Sequence, residues 1–506
     1  MNIAGHLERA AAVTPTESAL VFEEHRLSYA ELDEAAARVA SLLERWQIAR
    51  GDRIALYLPN IPEFVIVCLG AQRRGVVVVS LSSMLKAGEL AFVLRDSGAR
   101  ALFTTANLLP ELRPVRGELP ELEHVVLCEG DASAADTPVL AALMAESTPV
   151  RRSLDLPSDA PAAILYTSGT TGAPKGAVLT HGNLTVNAAN SALCVGSRPG
   201  DRHLLFLPLS HCFGQNFVMH SAFASGGCLV LERRYQIDAV LTDVARHAVT
   251  HFYGVPTNYI YLLEAQVQRA QLQSVRLFFS AAATMPREVA QAWHDRFGAP
   301  VHEGYGLTET APLATYNHRE RHRVGSVGTP VPGVELKAVD DTGRHCAVGE
   351  SGELCIKGPN VMAGYFQREL ETRAAIVDGW FHTGDIGYCD ADGYWYLVDR
   401  LKDMINCAGY KVWPREVEEV LYQHPSVAEC AVVGQHDATK GERVVAYVRL
   451  KSPAQAPNAE SSLRTHCEAR LARYKWPDTF SFDREIPKSL SGKILKRLLR
   501  EQPPRD

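Results

Sequence analysis

Closely spaced cysteines are missing from this chain of 506 residues, although it contains eleven cysteines. The nearest two, Cys346 and Cys355, are nine residues apart, so the sequence has neither a CxxC pair nor a zinc-type cluster. Scattered cysteines of this kind indicate a reduced, intracellular compartment.

Long apolar runs are missing as well. No stretch approaches the ~20 apolar residues that a membrane span requires. His6, Glu8 and Arg9 interrupt the N-terminus before an apolar core of signal-peptide length appears. The sequence therefore predicts a cytoplasmic protein without an integral membrane segment. Its 52 Lys plus Arg against 58 Asp plus Glu give a net charge of −6, which does not favour a nucleic-acid partner.

Strand and helix patterns alternate along most of the chain. RIALYLP (53–59), an apolar helix around EFVIVCLGAQRRG and VVVVSL (76–81) form a βαβ pattern, which indicates an α/β protein. Before them, Ser28 and Glu31 have the spacing of a capping box at the start of a helix.

The pattern changes after GYWYLVDRLKD. A helix that begins near Pro414 is followed by two strand patterns and a polar, proline-containing connection at 451–462. We predict an α/β fold with a large multi-subdomain N-terminal body, residues 1–400, and a small C-terminal α+β domain, residues 401–506.

Residues 166–181, YTSGTTGAPKGAVLTH, have the composition of a phosphate-binding loop. The loop follows an apolar strand, and its glycines free backbone amides while its hydroxyls and Lys175 add donors and a positive charge. It does not match the P-loop G-x-x-x-x-G-K-[ST], because Pro174 replaces the second glycine and Gly176 follows the lysine. A surface turn with a solvated lysine is the alternative interpretation.

This loop resembles the signature loop of the adenylate-forming (AMP-binding) superfamily, which contains acyl-CoA synthetases, peptide-synthetase adenylation domains and beetle luciferases. The resemblance implies a mobile clamp on the β and γ phosphates of ATP. The clamp residues would be Thr167, Ser168, Gly169, Thr170, Thr171 and Lys175.

Two further motifs follow in the order that the resemblance requires. In EGYGLTET (303–310), it implies that Tyr305 and Gly306 contact adenine, that Glu303 lies near the adenine amine, that Thr308 touches the α-phosphate and that Glu309 holds Mg²⁺. Ala282 is implied as a further ATP contact. In GWFHTGDIGYCDADGYWYLVDRLKD, Asp385 would bind the ribose hydroxyls and Arg400 would bind nearby, since a carboxylate suits a vicinal diol.

The last motif is PKSLSGKILKRLLR (487–500), in a strongly basic segment. By resemblance, Lys493 enters the active site for adenylation from a turn at a helix start, and neutralises charge as a carboxylate approaches the α-phosphate. Lys402 matches the hinge about which the small domain rotates. Gly409 and Lys411 would then serve the attack of a thiol, with a surface lysine as the alternative for Lys411.

The segment FLPLSHCFGQNFVMH (206–220) resembles the lining of the acyl site. The resemblance makes His211 a catalytic residue near the carboxylate. The implied pocket residues are His211, Phe213, Val255, Ala281, Tyr305, Gly306 and Pro312. The chain departs from the family pattern S-G-[AG]-A-P, because SAAAT places Ala281 and Thr284 at the glycine and proline positions. An added methyl group can change acid selectivity by ~1–3 kcal/mol.

Together, the motifs imply an ATP-dependent acid–thiol ligase that uses Mg²⁺ and coenzyme A and forms an acyl adenylate. The expected substrate is a medium- to long-chain or other apolar monocarboxylic acid, with an aryl acid as the competitor. A separate acyl carrier protein is the alternative acceptor, and the resemblance allows a homodimer. A regulator without catalysis and a luciferase-like oxidase are the rival functions.

Overall fold

The computed structural model describes residues 1–129, 137–167, 174–437, 439–452, 458–482, 485–490 and 492–501. The α-helices in these ranges are α1 (Gly5–Val13), α2 (Tyr29–Arg45), α3 (Pro62–Arg73), α4 (Ala87–Ser97), α5 (Leu109–Leu112), α6 (Leu140–Ala145), α7 (His181–Val195), α8 (His220–Ser225), α9 (Ile237–His247), α10 (Pro256–Glu264), α11 (Arg287–Phe297), α12 (Glu369–Ala375), α13 (Pro414–Tyr422), α14 (Ala459–Glu468) and α15 (Lys496–Glu501). A π-helix covers Phe213–Met219 and leads into α8.

The strands before residue 320 are β1 (Ser18–Phe22), β2 (His25–Ser28), β3 (Arg53–Tyr57), β4 (Val77–Leu81), β5 (Ala101–Thr105), β6 (His124–Glu129), β7 (Pro161–Thr167), β8 (Lys175–Thr180), β9 (Arg202–Leu205), β10 (Cys228–Leu231), β11 (His251–Gly254), β12 (Leu277–Ser280), β13 (Val301–Gly306) and β14 (Leu313–Tyr316). Those after it are β15 (Thr329–Pro330), β16 (Glu335–Val339), β17 (Gly352–Lys357), β18 (Gly364–Tyr365), β19 (Ile376–Val377), β20 (Trp380–Cys389), β21 (Trp395–Arg400), β22 (Ile405–Cys407), β23 (Tyr410–Val412), β24 (Val427–Asp437), β25 (Gly441–Leu450) and β26 (Thr479–Phe482).

Two large sheets form the N-terminal body. Within the described residues, the nine-stranded sheet has the order β15-β14-β13-β12-β11-β9-β10-β1-β2, and the seven-stranded sheet the order β18-β8-β7-β4-β3-β5-β6. The central strands of both sheets are parallel and joined through helices, as the βαβ pattern predicts. Because most of these strands are buried on both faces, their sequences are nearly continuous apolar runs.

A five-stranded antiparallel sheet, β16-β17-β20-β19 with β21 paired to β20, follows the large sheets. The turn DADG joins β20 to β21, which confirms the hairpin that this sequence predicts. The register of the hairpin pairs Asp385 directly with Arg400. Local backbone pairing therefore brings two of the predicted site residues side by side.

The small C-terminal domain contains β22–β26 and α13–α15. Its sheet has the order β23-β22-β25-β24, with β26 parallel to β25, and its core is separate from that of the large sheets. The domain boundary predicted between residues 400 and 401 stays a prediction, and it falls where β21 ends. Residues 453–457 of the predicted polar connection lie outside the described residues, and α14 begins within its last part.

Local sequence signals explain several helix boundaries. At the start of α2, Ser28 Oγ accepts from Glu31 N at 3.3 Å, and Glu31 Oε2 accepts from Ser28 N at 2.8 Å, which confirms the capping box. Pro414 occupies the first turn of α13, as predicted. None of the helices in the described ranges is both long and apolar enough to span a bilayer.

Candidate active site

The two ends of the glycine-rich loop are fixed by the antiparallel pair β7 and β8. The pair places Thr167 opposite Lys175, so the loop leaves and re-enters the sheet at one point. Four predicted clamp residues lie outside the described residues, namely Ser168, Gly169, Thr170 and Thr171. Lys175 Nζ lies 5.4 Å from the centre of the Tyr365 ring. The positive charge of the loop therefore stands at the edge of the seven-stranded sheet.

A buried cluster joins β13 to the β20–β21 hairpin. Tyr305 Oη donates to Asp385 Oδ2 at 2.8 Å, and Arg400 Nε lies 3.0 Å from Asp385 Oδ1. Tyr305 and Asp385 are 7% and 6% exposed, and burial raises the pKa of the Tyr305 hydroxyl well above its ordinary value. The phenol therefore stays a donor, and the guanidinium balances the charge of the carboxylate. Together, the two interactions hold the Asp385 carboxylate in one orientation within the site.

Gly306 ends β13 where the chain has no room for a side chain. A Cβ at this position would lie 1.5 Å from the carbonyl oxygen of Pro312. The backbone at Pro312 therefore lies against the end of β13. This close approach leaves no room for a side chain, which is a physical reason for the glycine in EGYG. Gly306 and Pro312, both predicted pocket residues, are thus in direct contact.

The next residues along the chain carry a buried carboxylate. Glu309 Oε1 accepts from Tyr365 Oη at 3.0 Å and from Thr167 Oγ1 at 3.4 Å. Thr308 Oγ1 lies 3.4 Å from Cys212 Sγ. No described residue donates a hydrogen bond to Glu309 Oε2, which leaves a carboxylate oxygen of the kind that Mg²⁺ prefers. The residues present therefore fit a magnesium ion.

The charge of Lys493 acts on His211, although 282 residues separate them in the sequence. Burial, reinforced by the charge of Arg400, lowers the pKa of Lys493 to about 8. Burial also lowers the pKa of His211 to about 4, and the charge of Lys493 adds to that shift. His211 is therefore neutral at pH 7, and its Nδ1 accepts from Phe213 N at 3.2 Å.

The turn before Lys493 contacts the N-terminal body directly. Gly492 has φ +82°, and a Cβ there would lie 2.8 Å from Val255 Cγ2. Thr257 Oγ1 lies within hydrogen-bond distance of Gly492 O, at 3.2 Å. The sequence predicted a helix start at Lys493, but α15 begins three residues later, at Lys496. The lysine side chain thus extends from a turn that packs against Val255.

Hydrogen bonds from an ion pair within the small C-terminal domain dock that domain on α10. The carboxylate of Glu429 is almost fully buried; it pairs with Lys488 Nζ at 2.7 Å and accepts from Thr257 Oγ1 at 3.1 Å. Lys488 Nζ also donates to Tyr261 Oη at 3.1 Å. These contacts hold the small domain in the orientation in which the charge of Lys493 acts on His211.

The predicted adenine and acyl residues surround the ends of β12 and β13. Glu303 Oε2 accepts from Met285 N at 3.2 Å, and burial raises the pKa of Glu303 to about 7. Ala282 has φ +67°, whereas Ala281 is not in the left-handed region. The methyl group of Ala281 therefore adds volume without backbone strain.

Aromatic rings pack behind His211. The ring of Phe213 contacts those of Phe217 and Phe279, with centroid distances of 5.5 and 5.9 Å, and Phe217 stacks on Phe279 at 4.7 Å. These side chains are almost fully buried. The wall predicted from FLPLSHCFGQNFVMH is therefore apolar and aromatic, and it contains the π-helix, a feature frequent at functional sites.

The residues predicted for thiolation lie elsewhere. Gly409 (φ +88°) and Lys411 are exposed at the β22–β23 hairpin. The predicted hinge residue, Lys402, is exposed in a short turn after β21, near enough for its charge to act on Lys493. None of the described hydrogen bonds or ion pairs connects Gly409 or Lys411 to the cluster around Asp385. In this orientation of the two domains, the described residues that meet are among those predicted for adenylation, and Gly409 and Lys411 are not among them.

Sequence reasoning missed Tyr365, Thr257 and the Glu429–Lys488 pair. Tyr365 stands in VMAGYFQ, where no local pattern distinguishes it from a core aromatic residue. Thr257 and Glu429 gain their roles from the contact between domains, and their separation of 172 residues hides that contact in the sequence.

Comparisons with known proteins agree with this geometry. The AMP-binding enzyme family model matches residues 7–366, and the AMP-binding enzyme C-terminal domain model matches residues 416–493. A long-chain-fatty-acid–CoA ligase of Bacillus subtilis (strain 168) is 34% identical over 531 residues, covering 98% of this chain and 93% of the relative. A 2-succinylbenzoate–CoA ligase of the same organism is 35% identical over 497 residues, covering 98% and 97%. The crystal structure of an anthranilate CoA ligase in complex with anthranoyl-AMP matches with a TM-score of 0.93 at 30% identity, covering 99% of this chain and 97% of that chain.

Proposed function

The chain belongs to the AMP-binding enzyme family, and from this premise we propose that it is an AMP-forming acid–thiol ligase that converts a carboxylic acid to its coenzyme A thioester. The proposal rests chiefly on one observation. The small C-terminal domain places Lys493 where its charge acts on His211 and where the charges of Arg400 and Asp385, both in the cluster with Tyr305, act on the lysine in turn. This arrangement suits chemistry at the α-phosphate of ATP.

In the first half-reaction, a carboxylate oxygen attacks the α-phosphorus of ATP. A new P–O bond forms to the acid, the bond to the β-phosphate oxygen breaks, and pyrophosphate leaves with the electron pair. Lys493 would reduce the repulsion between the two anions, because its ammonium group is buried and its charge is little screened. The reaction requires positioning and charge stabilisation, without a covalent enzyme intermediate.

The other site residues would bind the nucleotide. Tyr305 with Gly306 would contact the adenine, and Glu303 and Ala282 would lie beside it. Asp385, oriented by Arg400, would accept from the ribose hydroxyls. Thr308 would contact the α-phosphate, and Glu309 would hold Mg²⁺, which supplies positive charge to the phosphates when bound. The clamp residues Thr167, Ser168, Gly169, Thr170, Thr171 and Lys175 would hold the departing pyrophosphate.

In the second half-reaction, residues 401–506 would rotate about Lys402 against residues 1–400. The rotation withdraws Lys493 and presents the hairpin that carries Gly409 and Lys411, so that the thiol of coenzyme A can attack the adenylate carbonyl. The exposure of that hairpin supports the proposal, because its surface is free to form a second contact. A carrier protein as acceptor, a homodimer and a cytoplasmic location stay predictions.

The acid would lie between His211 and the pocket residues Phe213, Val255, Ala281, Gly306 and Pro312. Their apolar character supports an apolar monocarboxylic acid of medium or long chain. An aryl acid is the second candidate, favoured by the aromatic cluster in which Phe217 stacks on Phe279 and Phe213 meets Phe279 edge to face.

Pyrophosphate release over a panel of fatty and aryl acids, with and without coenzyme A, tests the proposal. We expect acid-dependent release, with continued turnover only when coenzyme A is present. Lys493→Ala should nearly abolish adenylate formation from ATP yet leave thiolation of supplied acyl adenylate intact. Equal loss of both steps would contradict the role of Lys493, and the absence of release with every acid would refute the ligase.

A further inference from the structure

Tyr365 connects the phosphate loop to the buried carboxylate. It lies on β18, which pairs with β8 and places Tyr365 opposite Ala177, two residues after Lys175. Two backbone hydrogen bonds fix the segment that contains Tyr365. Before the tyrosine, Met362 N donates to Glu309 O at 2.8 Å, and after it, Phe366 N donates to Gly176 O at 2.7 Å. The position of Tyr365 is therefore fixed relative to both Lys175 and Glu309.

The two parts of the Tyr365 side chain have different partners. Its hydroxyl donates to Glu309 Oε1 at 3.0 Å, and the face of its ring lies 5.4 Å from Lys175 Nζ. Burial, together with the charge of Glu309, raises the pKa of this hydroxyl, so it stays a donor. Among the described residues, no ion pair joins Lys175 to Glu309, although both contact the Tyr365 side chain.

We infer that Tyr365 is a positioning residue that holds Glu309 and Lys175 apart and ready for magnesium and phosphate. The hydroxyl occupies Oε1 of Glu309 and leaves Oε2 available to hold a magnesium ion, while the ring provides a cation–π contact for Lys175. Without Tyr365, Lys175 and Glu309 would lose the side chain that both contact and, having opposite charges, would pair with each other and compete with both ligands. The inference rests on the proposed function, because it concerns the same nucleotide site.

Two substitutions separate the two contacts. Tyr365→Phe keeps the ring and removes the donor to Glu309, whereas Tyr365→Leu removes both. Isothermal titration calorimetry with ATP plus Mg²⁺, and with ATP plus EDTA, measures binding without turnover. For Tyr365→Phe, we expect about ten-fold weaker binding of Mg·ATP, the usual cost of a hydrogen bond to a charged group, and unchanged binding of metal-free ATP. Tyr365→Leu should weaken binding in both conditions.

Tyr396→Phe is the matched control, because Tyr396 Oη donates to Asp390 Oδ2 at 3.1 Å, away from the nucleotide site. It loses the same type of hydrogen bond and should bind Mg·ATP like the unaltered protein. The melting temperature of each variant shows whether it folds, and a general structural loss would weaken binding with and without Mg²⁺ alike. Two results with Tyr365→Phe would overturn the inference. One is that the variant binds Mg·ATP as tightly as the unaltered protein, and the other is that its affinities for Mg·ATP and for metal-free ATP fall equally. Failure of the unaltered protein to bind Mg·ATP would instead refute the proposed function.

Discussion

Raising the pH should inactivate the ATP-dependent half-reaction by removing the proton of Lys493. Burial, with the nearby charge of Arg400, lowers the pKa of Lys493 from 10.5 to about 8. The protonated fraction then falls from about nine-tenths at pH 7 to about one-tenth at pH 9, while an ordinary lysine stays almost fully protonated. We therefore expect kcat/KM for ATP, measured by ATP–pyrophosphate exchange, to fall about ten-fold between pH 7 and pH 9.

Two controls are available, the pH dependence of kcat and the variant Lys493→Arg. The value of kcat at saturating ATP should be less sensitive to pH, because the bound phosphates favour the ammonium form of Lys493. Lys493→Arg keeps its charge throughout this range and should lose the alkaline decrease, whatever its maximal rate. A kcat/KM that stays constant from pH 7 to pH 9, or the same decrease in Lys493→Arg, would refute the reasoning.

Three further substitutions test the site. The raised pKa of Glu303 means that the folded state retains its proton more tightly, so this contribution to stability is complete below about pH 4.5 and is lost as the pH rises through 7. Glu303→Gln should therefore raise the free energy of unfolding at pH 8 by about 3 kcal/mol and have little effect near pH 4; an equal effect at both pH values would contradict this account. Gly306→Ala should lower the free energy of unfolding by about 1–3 kcal/mol, because the added Cβ would meet the carbonyl oxygen of Pro312. Gly88→Ala is the control, because a Cβ at Gly88 would enter open space. Equal denaturation midpoints for the two variants would count against the clash at Gly306. Ala281→Gly should broaden or lengthen the acid preference in a chain-length panel, and an unchanged profile would exclude a role for its methyl group.

The sequence predicted the repeated strand–helix units because local apolar patterns determine which segments are buried. VVVVSL became the buried strand β4, and Pro414 began α13, as expected from propensity and capping rules. The start of α15 was predicted three residues too early, because Gly492 at positive φ continues the turn past Lys493.

The sequence predicted the motifs of the site one by one, but it did not predict the contacts between them. Tyr305 and Asp385 each stand in a recognisable motif, and their hydrogen bond arises from the packing of two sheets. Tyr365 gave no signal, because a tyrosine that orients a carboxylate has the same sequence pattern as a tyrosine in the core. Gly409 and Lys411 stay predictions, since none of the described hydrogen bonds or ion pairs joins them to the cluster around Asp385.

The sequence by itself determined the α/β class, the order of the motifs and the chemical types of residue available to the nucleotide, because these depend on local periodicity and composition. The tertiary structure decided which of them meet. With Glu429 and Lys488 docked on α10, Lys493 lies where its charge acts on His211, and burial lowers the pKa values of both side chains. Desolvation depends on everything that surrounds a group, so only the folded chain sets the charge of its active site.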